Sequence, residues 1–469
     1  MATTLDKGRY RGGFWALIVT QFQGAFSDNL FRWVLIYFLL RTSINGDAGS
    51  DLERTGLVMG LSGALFSLPY IIFPGIFGAL SDRFSKQRVA FATKVLELAI
   101  VSLGLAGLLS NNVYFLWAIW FLLSTQSAMF SPAKYGILPE ILPDSRLSWG
   151  NGIMQMGTTV AIISGTAVAG PLFEFLNKAD QIHLVSVILM VLALAGIISS
   201  TRISCPPAAD PGKKLTLNPF DNLPEHFRVF HRDKWLFLTV LGWTFFWFAG
   251  VLLQQNILSL GRLELHLTET QQSVLQAVLA LGTALGSLSA GFLSRDKIEV
   301  GLIPLGAFGM TLFSALLGIQ GFEIPAIRIL LFGLGFFAGV FFVPLAATLQ
   351  QRSPAEMKGG IMATSNMLSS VGILAASGLF MLLGMLHIGP YLTFLITAAL
   401  TLATGLYISF VLPVFVVRLG LWVLSNTIYR LNVRGKHHVP EQGGALLVAN
   451  HTSFLDALVI IASIDRPVR

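Results

Sequence analysis

Apolar residues in this chain gather into long stretches separated by short polar segments. Twelve stretches lie at roughly 14–40, 56–80, 89–110, 113–131, 148–174, 183–201, 235–258, 271–294, 299–319, 324–348, 360–386 and 390–416. An α-helix rises about 1.5 Å per residue, so about 20 apolar residues cross the hydrocarbon of a bilayer. The pattern predicts an all-α integral membrane protein with twelve transmembrane helices. Its longest internal polar gap runs from Arg202 to Lys234 and contains CPPAADPGKK. Proline and charge at that density read as a linker and not a helix. The expected layout is a tail at 1–13, a six-helix bundle at 14–201, a central loop at 202–234 and a second bundle at 235–416. Residues 417–469 follow as a separate segment.

Composition strengthens this reading. Of 469 residues, 54% are hydrophobic and only 12% charged, far below the charge of a soluble domain of that size. The net charge of +7 would point to nucleic acid in a soluble protein. In a membrane protein it reflects the concentration of Lys and Arg on the cytoplasmic side. Placing the N-terminus inside puts Lys7, Arg9, Arg11, Arg83, Lys86, Arg88, Lys134, Arg146, Lys213, Lys214, Arg228 and Arg232 on one side. The other receives Arg41, Arg54, Lys178 and Arg262. Both termini and the central loop are therefore expected in the cytoplasm. The single cysteine, Cys205, excludes an internal disulfide framework. The basic start MATTLDKGRYRGG has no cleavage site and reads as a retained tail.

Between the second and third stretches lies GALSDRFSKQR, Gly78 to Arg88. It resembles the loop signature of the major facilitator superfamily, in which a glycine is followed four residues later by Asp-Arg and then by basic residues. Ser85 stands where a second glycine is usual. A weaker copy, GFLSRDK from Gly291 to Lys297, falls at the equivalent place in the second half. Two sets of six helices with a long central loop match that superfamily's plan. The resemblance implies that Gly78, Asp82, Arg83 and Arg88 form a cytoplasmic gate. Without it, Asp82 and Arg83 are ordinary solvated loop charges.

A charge at the bilayer centre costs about 2.5 kcal/mol or more, so embedded ionisable residues need a reason. The first stretch holds QFQGAFSDNLFRW, with Asp28 and Arg32 at i, i+4 spacing and Gln21, Gln23 and Asn29 nearby. That spacing allows the two charges to neutralise each other. Lys94 and Glu97 at i, i+3 in the third stretch form a second candidate pair. For either pair the plain reading is structural glue between helices. The polar surroundings of Asp28 and Arg32 favour a cavity, where a headgroup finds a cation for phosphate and an anion for amine. Arg328, near the start of the tenth stretch, reads as snorkelling to the interface. Gln126, Gln254, Gln255 and Asn366 are expected in the interior, where interhelical hydrogen bonding accounts for them equally well. GTAVAGPLF, Gly165 to Phe173, reads as a bending and packing element.

QFQGAFSDNLFRW resembles the first helix of the lysophospholipid transporter family, with Gln23 and Ser27 in place of the commoner Leu and Asn. SPAKYGILPEIL, Ser131 to Leu142, and WFAGVLLQQN, Trp247 to Asn256, resemble the same family's fourth-to-fifth loop and seventh span. This resemblance implies carriage of lysophosphatidylethanolamine-type lipids from the outer to the inner leaflet of the bacterial cytoplasmic membrane. The substrate-binding candidates are Asp28, Asn29, Arg32, Gln23, Lys94, Glu97, Gln126, Gln254 and Gln255.

Beyond the last stretch, VVRLGLWVLSNTIYRLNVRG reads as an interfacial helix. The run ALLVANHTSFLDALVI then resembles the lysophosphatidate-type glycerolipid acyltransferases, whose NHxSxxD is filled by Asn450, His451, Ser453 and Asp456. In that family the histidine is the general base and the aspartate orients it, which makes His451 and Asp456 the catalytic candidates. Such domains need roughly 200 residues for a core of their own. The fragment is therefore expected to be an inactive, truncated start of an α/β domain. A full-length enzyme of this kind uses acyl-CoA or acyl carrier protein as donor; the transporter part needs no cofactor. Two other functions stay open: transport of a small soluble solute or drug, and passive anchoring of the acyltransferase.

Overall fold

The computed structural model describes residues 7–42, 50–142, 144–204, 223–294, 299–354 and 358–411, with isolated positions at 207–208, 211–212, 448 and 450. It is all-helical there. The first group is α1 (Lys7–Thr42), α2 (Asp51–Ile72), α3 (Pro74–Arg83), α4 (Lys86–Leu109), α5 (Val113–Ile141), α6 (Asp144–Lys178) and α7 (Leu184–Thr201). The second is α8 (Leu223–Arg232), α9 (Lys234–Ser259), α10 (Glu269–Ser294), α11 (Leu302–Leu317), α12 (Ile324–Arg352), α13 (Lys358–Met385) and α14 (Pro390–Val411). Among the described residues, ten helices are long and apolar enough to cross a membrane. Of the twelve expected, α1 carries too much polarity to count by that measure, and α11 is shorter, an apolar helix of 16 residues.

Two expectations change. The second stretch is not one helix: it divides at Phe73, whose φ of −112° and ψ of 8° leave the helical region before Pro74 opens α3. A proline disfavours helical backbone at the residue before it and suits the first helical position. The central loop is also not helix-free, because Leu223–Arg232 forms α8. Its His226 and Phe230 are buried while its charged residues point outward.

Local chemistry sets several helix starts. Ser50 and Glu53 form a reciprocal capping box at α2. Asn112 accepts the Phe115 N–H at α5, and Asp233 accepts the Trp235 and Leu236 N–H groups at α9. Burial alone would push the Asp233 carboxyl up. The Leu236 N–H bond, Arg352 at 3.2 Å and the Trp235 N–H together hold it below the usual carboxylate range.

The outside of the bundle is apolar: Phe410 is 86% exposed and Phe292 79%. Exposure of large apolar side chains on that scale belongs to a lipid-facing surface. Inside, α1 packs on α6 and α7, and α4 packs on α5 and α7. In the second group α12 packs on α10 and α11. The halves meet mainly through α2 against α13 and α6 against α10. Small residues make these contacts close: a Cβ on Gly56 would stand 3.1 Å from the Gly384 Cα, and one on Gly170 would overlap the Glu269 carbonyl.

Hydrogen bonds between the halves gather at the end remote from the N-terminus. Gln255 donates to the Met59 carbonyl at 3.1 Å and Arg262 to the Leu40 carbonyl at 2.9 Å. Glu174 accepts the Thr270 N–H at 2.7 Å, and Ser273 accepts the Gly170 N–H at 3.0 Å. Glu53 and His387 approach to 3.3 Å. That end of the molecule is closed.

Candidate functional site

Near the middle of the first half, α1, α4 and α5 bring polar side chains together. Lys94 Nζ lies 2.7 Å from Glu97 Oε2, and each side chain is 1% exposed. Gln23 Nε2 donates to Glu97 Oε1 at 2.8 Å and to Ser27 Oγ at 3.0 Å. Lys94 also lies 5.5 Å from the centre of the Phe130 ring. Glycine makes the room: a Cβ on Gly24 would stand 2.6 Å from Lys94 Nζ, and one on Gly196 would overlap Gln23 Oε1. The bland reading of this pair as interhelical glue describes its geometry well, except that the Gln23 Oε1 is buried with no partner.

Asp28 stands beside this network. Its Oδ2 accepts a hydrogen bond from Ser127 at 2.5 Å, and Ser127 lies 3.3 Å from Gln126 Oε1. Asp28 shares its field with Glu97, Lys94 and Lys134, and Tyr70 of α2 lies within the same reach. The expected neutralisation by Arg32 is not present. Among the described residues no carboxylate pairs with Arg32; its guanidinium instead lies 5.5 Å from the Trp33 ring centre. Its Nε is buried without a partner. One turn of helix sets the two Cα atoms about 6 Å apart, yet the side chains diverge, Asp28 toward α5 and Arg32 toward the Trp33 ring.

The remaining candidates separate. Asn29 donates to the Ala25 carbonyl of its own helix, and Gln21 to Thr158 of α6. Gln255 is fully buried and spans α2 and α13, donating to Met59 and Ser377, so its place is the closed end and not the charged cluster. Gln254 lies on α9, one residue away and partly exposed. Gly78, Asp82 and Arg83 lie on α3 and Arg88 in the first turn of α4. Around them Lys86 pairs with Glu140, and Gln87 donates to the Ser200 carbonyl. Arg295, Lys297, His451, Ser453 and Asp456 lie outside the described residues. Ser127 and Tyr70 were not anticipated, and Lys134 was expected only among the cytoplasmic charges. Ser127 sits in STQSAMFSPAK, a polar break within an apolar stretch, and that break was the available signal.

The sequence model of the Major Facilitator Superfamily matches residues 21–377. The chain belongs to that superfamily. Solved structures share the fold: a POT family transporter in complex with a thioalcohol-conjugated peptide superimposes with a TM-score of 0.67 at 14% identity, covering 86% of this chain and 96% of that one. A POT family transporter in complex with 5-aminolevulinic acid gives 0.66 at 14% identity, with the same coverage. At those identities the likeness is one of fold. Among curated relatives, the lysophospholipid transporter LplT of Klebsiella pneumoniae is 28% identical over 381 residues, 80% of this chain and 89% of the relative. LplT of Salmonella heidelberg is 29% identical over 375 residues, 79% and 88% of the two chains. A second model, Acyltransferase, matches residues 430–469, so this superfamily member carries acyltransferase-like sequence beyond its helices.

Proposed function

We propose that this protein is a lysophospholipid transporter that moves lysophosphatidylethanolamine-type lipids from the outer to the inner leaflet of a bacterial cytoplasmic membrane. Twelve helices in two six-helix bundles, with both termini in the cytoplasm, are the architecture of this reading. The observation that carries it is the polar cluster of Asp28, Ser127, Gln23, Lys94 and Glu97 at mid-membrane, in a chain similar to named lysophospholipid transporters along most of its length. In this reading Asp28 receives the headgroup amine. Arg32, which has no carboxylate partner, receives the phosphate. Each half-site leaves one group of a zwitterion to be matched by the opposite charge, and a zwitterion satisfies both without a counter-ion.

The gate residues Gly78, Asp82, Arg83 and Arg88 act at the cytoplasmic end, opposite the closed end described above. Translocated lysolipid then feeds re-acylation by the fused acyltransferase, with His451 as base, Asp456 as its orienting partner and acyl-CoA or acyl carrier protein as donor. Joining the two places product beside consumer.

The test uses purified protein in liposomes with fluorescent lysophosphatidylethanolamine, following loss of access to an external quencher. Wild type is expected to move the lipid inward, and Asp28→Asn and Arg32→Ala each to slow it at least roughly tenfold, the loss of one charge-assisted hydrogen bond. Movement no faster than in protein-free liposomes would sink the proposal and turn attention to soluble solutes.

A further inference from the structure

The two halves differ in chemistry at one depth. Asp28, Arg32, Lys94 and Glu97 all belong to the first half. Near the middle of α9 to α14, the described residues include no Asp, Glu, Lys or Arg; Arg328 lies in the second turn of α12. What the second half offers at that depth is aromatic. On α9, Trp243, Trp247, Gly250 and Gln254 recur at i, i+4, i+7 and i+11, one helix stripe. Phe342 of α12 stacks beside it, 4.8 Å from Trp243 and 4.4 Å from Phe246 between ring centres, with Trp247 edge-on at 6.4 Å. Phe246, Trp247 and Phe342 remain partly exposed. Trp247 also packs against the apolar core that both halves share, whose members come from α1, α2, α4 to α7, α9 and α13. Beside it, a Cβ on Gly250 would meet nothing within 4 Å.

A lipid whose headgroup reaches Asp28 draws the first methylenes of its chain to the middle of the protein. Alternating access opens that region to water on one side at a time, and wetting apolar methylenes is unfavourable. The geometry points to the aromatic stripe of α9 and α12 as the seat of a single acyl chain, lying over the open space beside Gly250 while the headgroup sits in the charged half. This rests on the transport reading above and adds to it a chain-binding subsite with named residues.

The test follows tryptophan fluorescence of the detergent-solubilised full chain, titrated with lysophosphatidylethanolamine brominated at mid-chain, because bromine quenches on contact. Wild type should show a saturable component that unbrominated lysolipid displaces. Trp243→Phe with Trp247→Phe should remove that component, since both reporters of the stripe are then gone. Phe342→Ala should keep the two reporters and raise the half-saturating concentration roughly tenfold. Saturable quenching that survives in the double variant overturns the chain subsite and leaves the transport reading standing. So does an absence of saturable quenching in protein that still moves lysolipid in liposomes. An absence of both quenching and transport overturns both. Unchanged thermal unfolding separates Phe342→Ala from simple misfolding, and Phe342→Leu, which keeps the apolar volume, should restore much of the affinity.

Discussion

Lys94 and Glu97 show what a charge inside a membrane helix demands of its neighbours. Each is almost wholly buried, so removing either partner strands the other. Lys94→Met or Glu97→Gln alone should cost about 3–5 kcal/mol, the penalty of an uncompensated buried charge. The double variant, with neither charge, should recover much of that loss. Thermal unfolding in detergent, scored as a double-mutant cycle, checks this; additive losses would mean the pair is not coupled. The i, i+3 spacing of this pair was legible in the amino-acid sequence. The i, i+4 spacing of Asp28 and Arg32 was equally suggestive and proved misleading, because periodicity reports which Cβ atoms share a face and not where flexible side chains end. Ser127 takes the place beside Asp28 that Arg32 was expected to fill. Contacts from a helix a hundred residues away leave little trace in local spacing.

At the scale of elements, long apolar runs made most of the spanning helices readable, since a bilayer imposes one length on all of them. Departures came where local stereochemistry overrode that length. Pro74 divides the second stretch, and α8 is too short and too charged to register as a span. What holds α8 is burial of Phe230 and of His226, whose Nδ1 lies 2.7 Å from Thr364 Oγ1 of α13. Burial lowers the His226 imidazole below its ordinary 6.5, partly opposed by Glu225. A group held neutral in this way contributes fully above 6.5, and the contribution is lost as pH falls below 6.5 toward the lowered value. Glu225, Arg228, His231 and Arg232 share α8, and Thr364 and Gly360 face His226 from α13. Amide hydrogen exchange across Leu223–Arg232, corrected for intrinsic rates, should therefore quicken just below 6.5 and not above it. His226→Gln should remove that pH dependence.

For the whole molecule, the decisive feature is that hydrogen bonds between the halves gather at one end. A rocking transporter must break and remake them in every cycle. With Cys205 replaced by Ser, Glu53→Cys and His387→Cys give two thiols between α2 and the turn after α13, where the native side chains meet at 3.3 Å. A short reducible cross-linker bridging them should stop lysolipid movement in liposomes, and reductant should restore it. Movement that continues through the cross-link would show that this end does not open during transport. The all-helical, membrane-crossing character of the chain was readable from its apolar stretches. The pairing of α2 with α13 and of α6 with α10 was not, because contacts between glycine-lined surfaces carry no period of their own.

At the heart of the first half Asp28 and Glu97, when ionised, balance Arg32 and Lys94. Carrying one unbalanced charge across the membrane's electric field would cost about 2.3 kcal/mol per 100 mV, whereas these four groups, all ionised, carry none. The second half, with no ionisable side chain near the middle of its described helices, adds nothing to the balance, and neither does a zwitterionic passenger. Transport should thus run at the same rate in liposomes polarised by a potassium gradient and valinomycin in either direction. A rate that follows the imposed voltage would instead mean that an acid among the four takes up a proton or that a cation travels with the lipid.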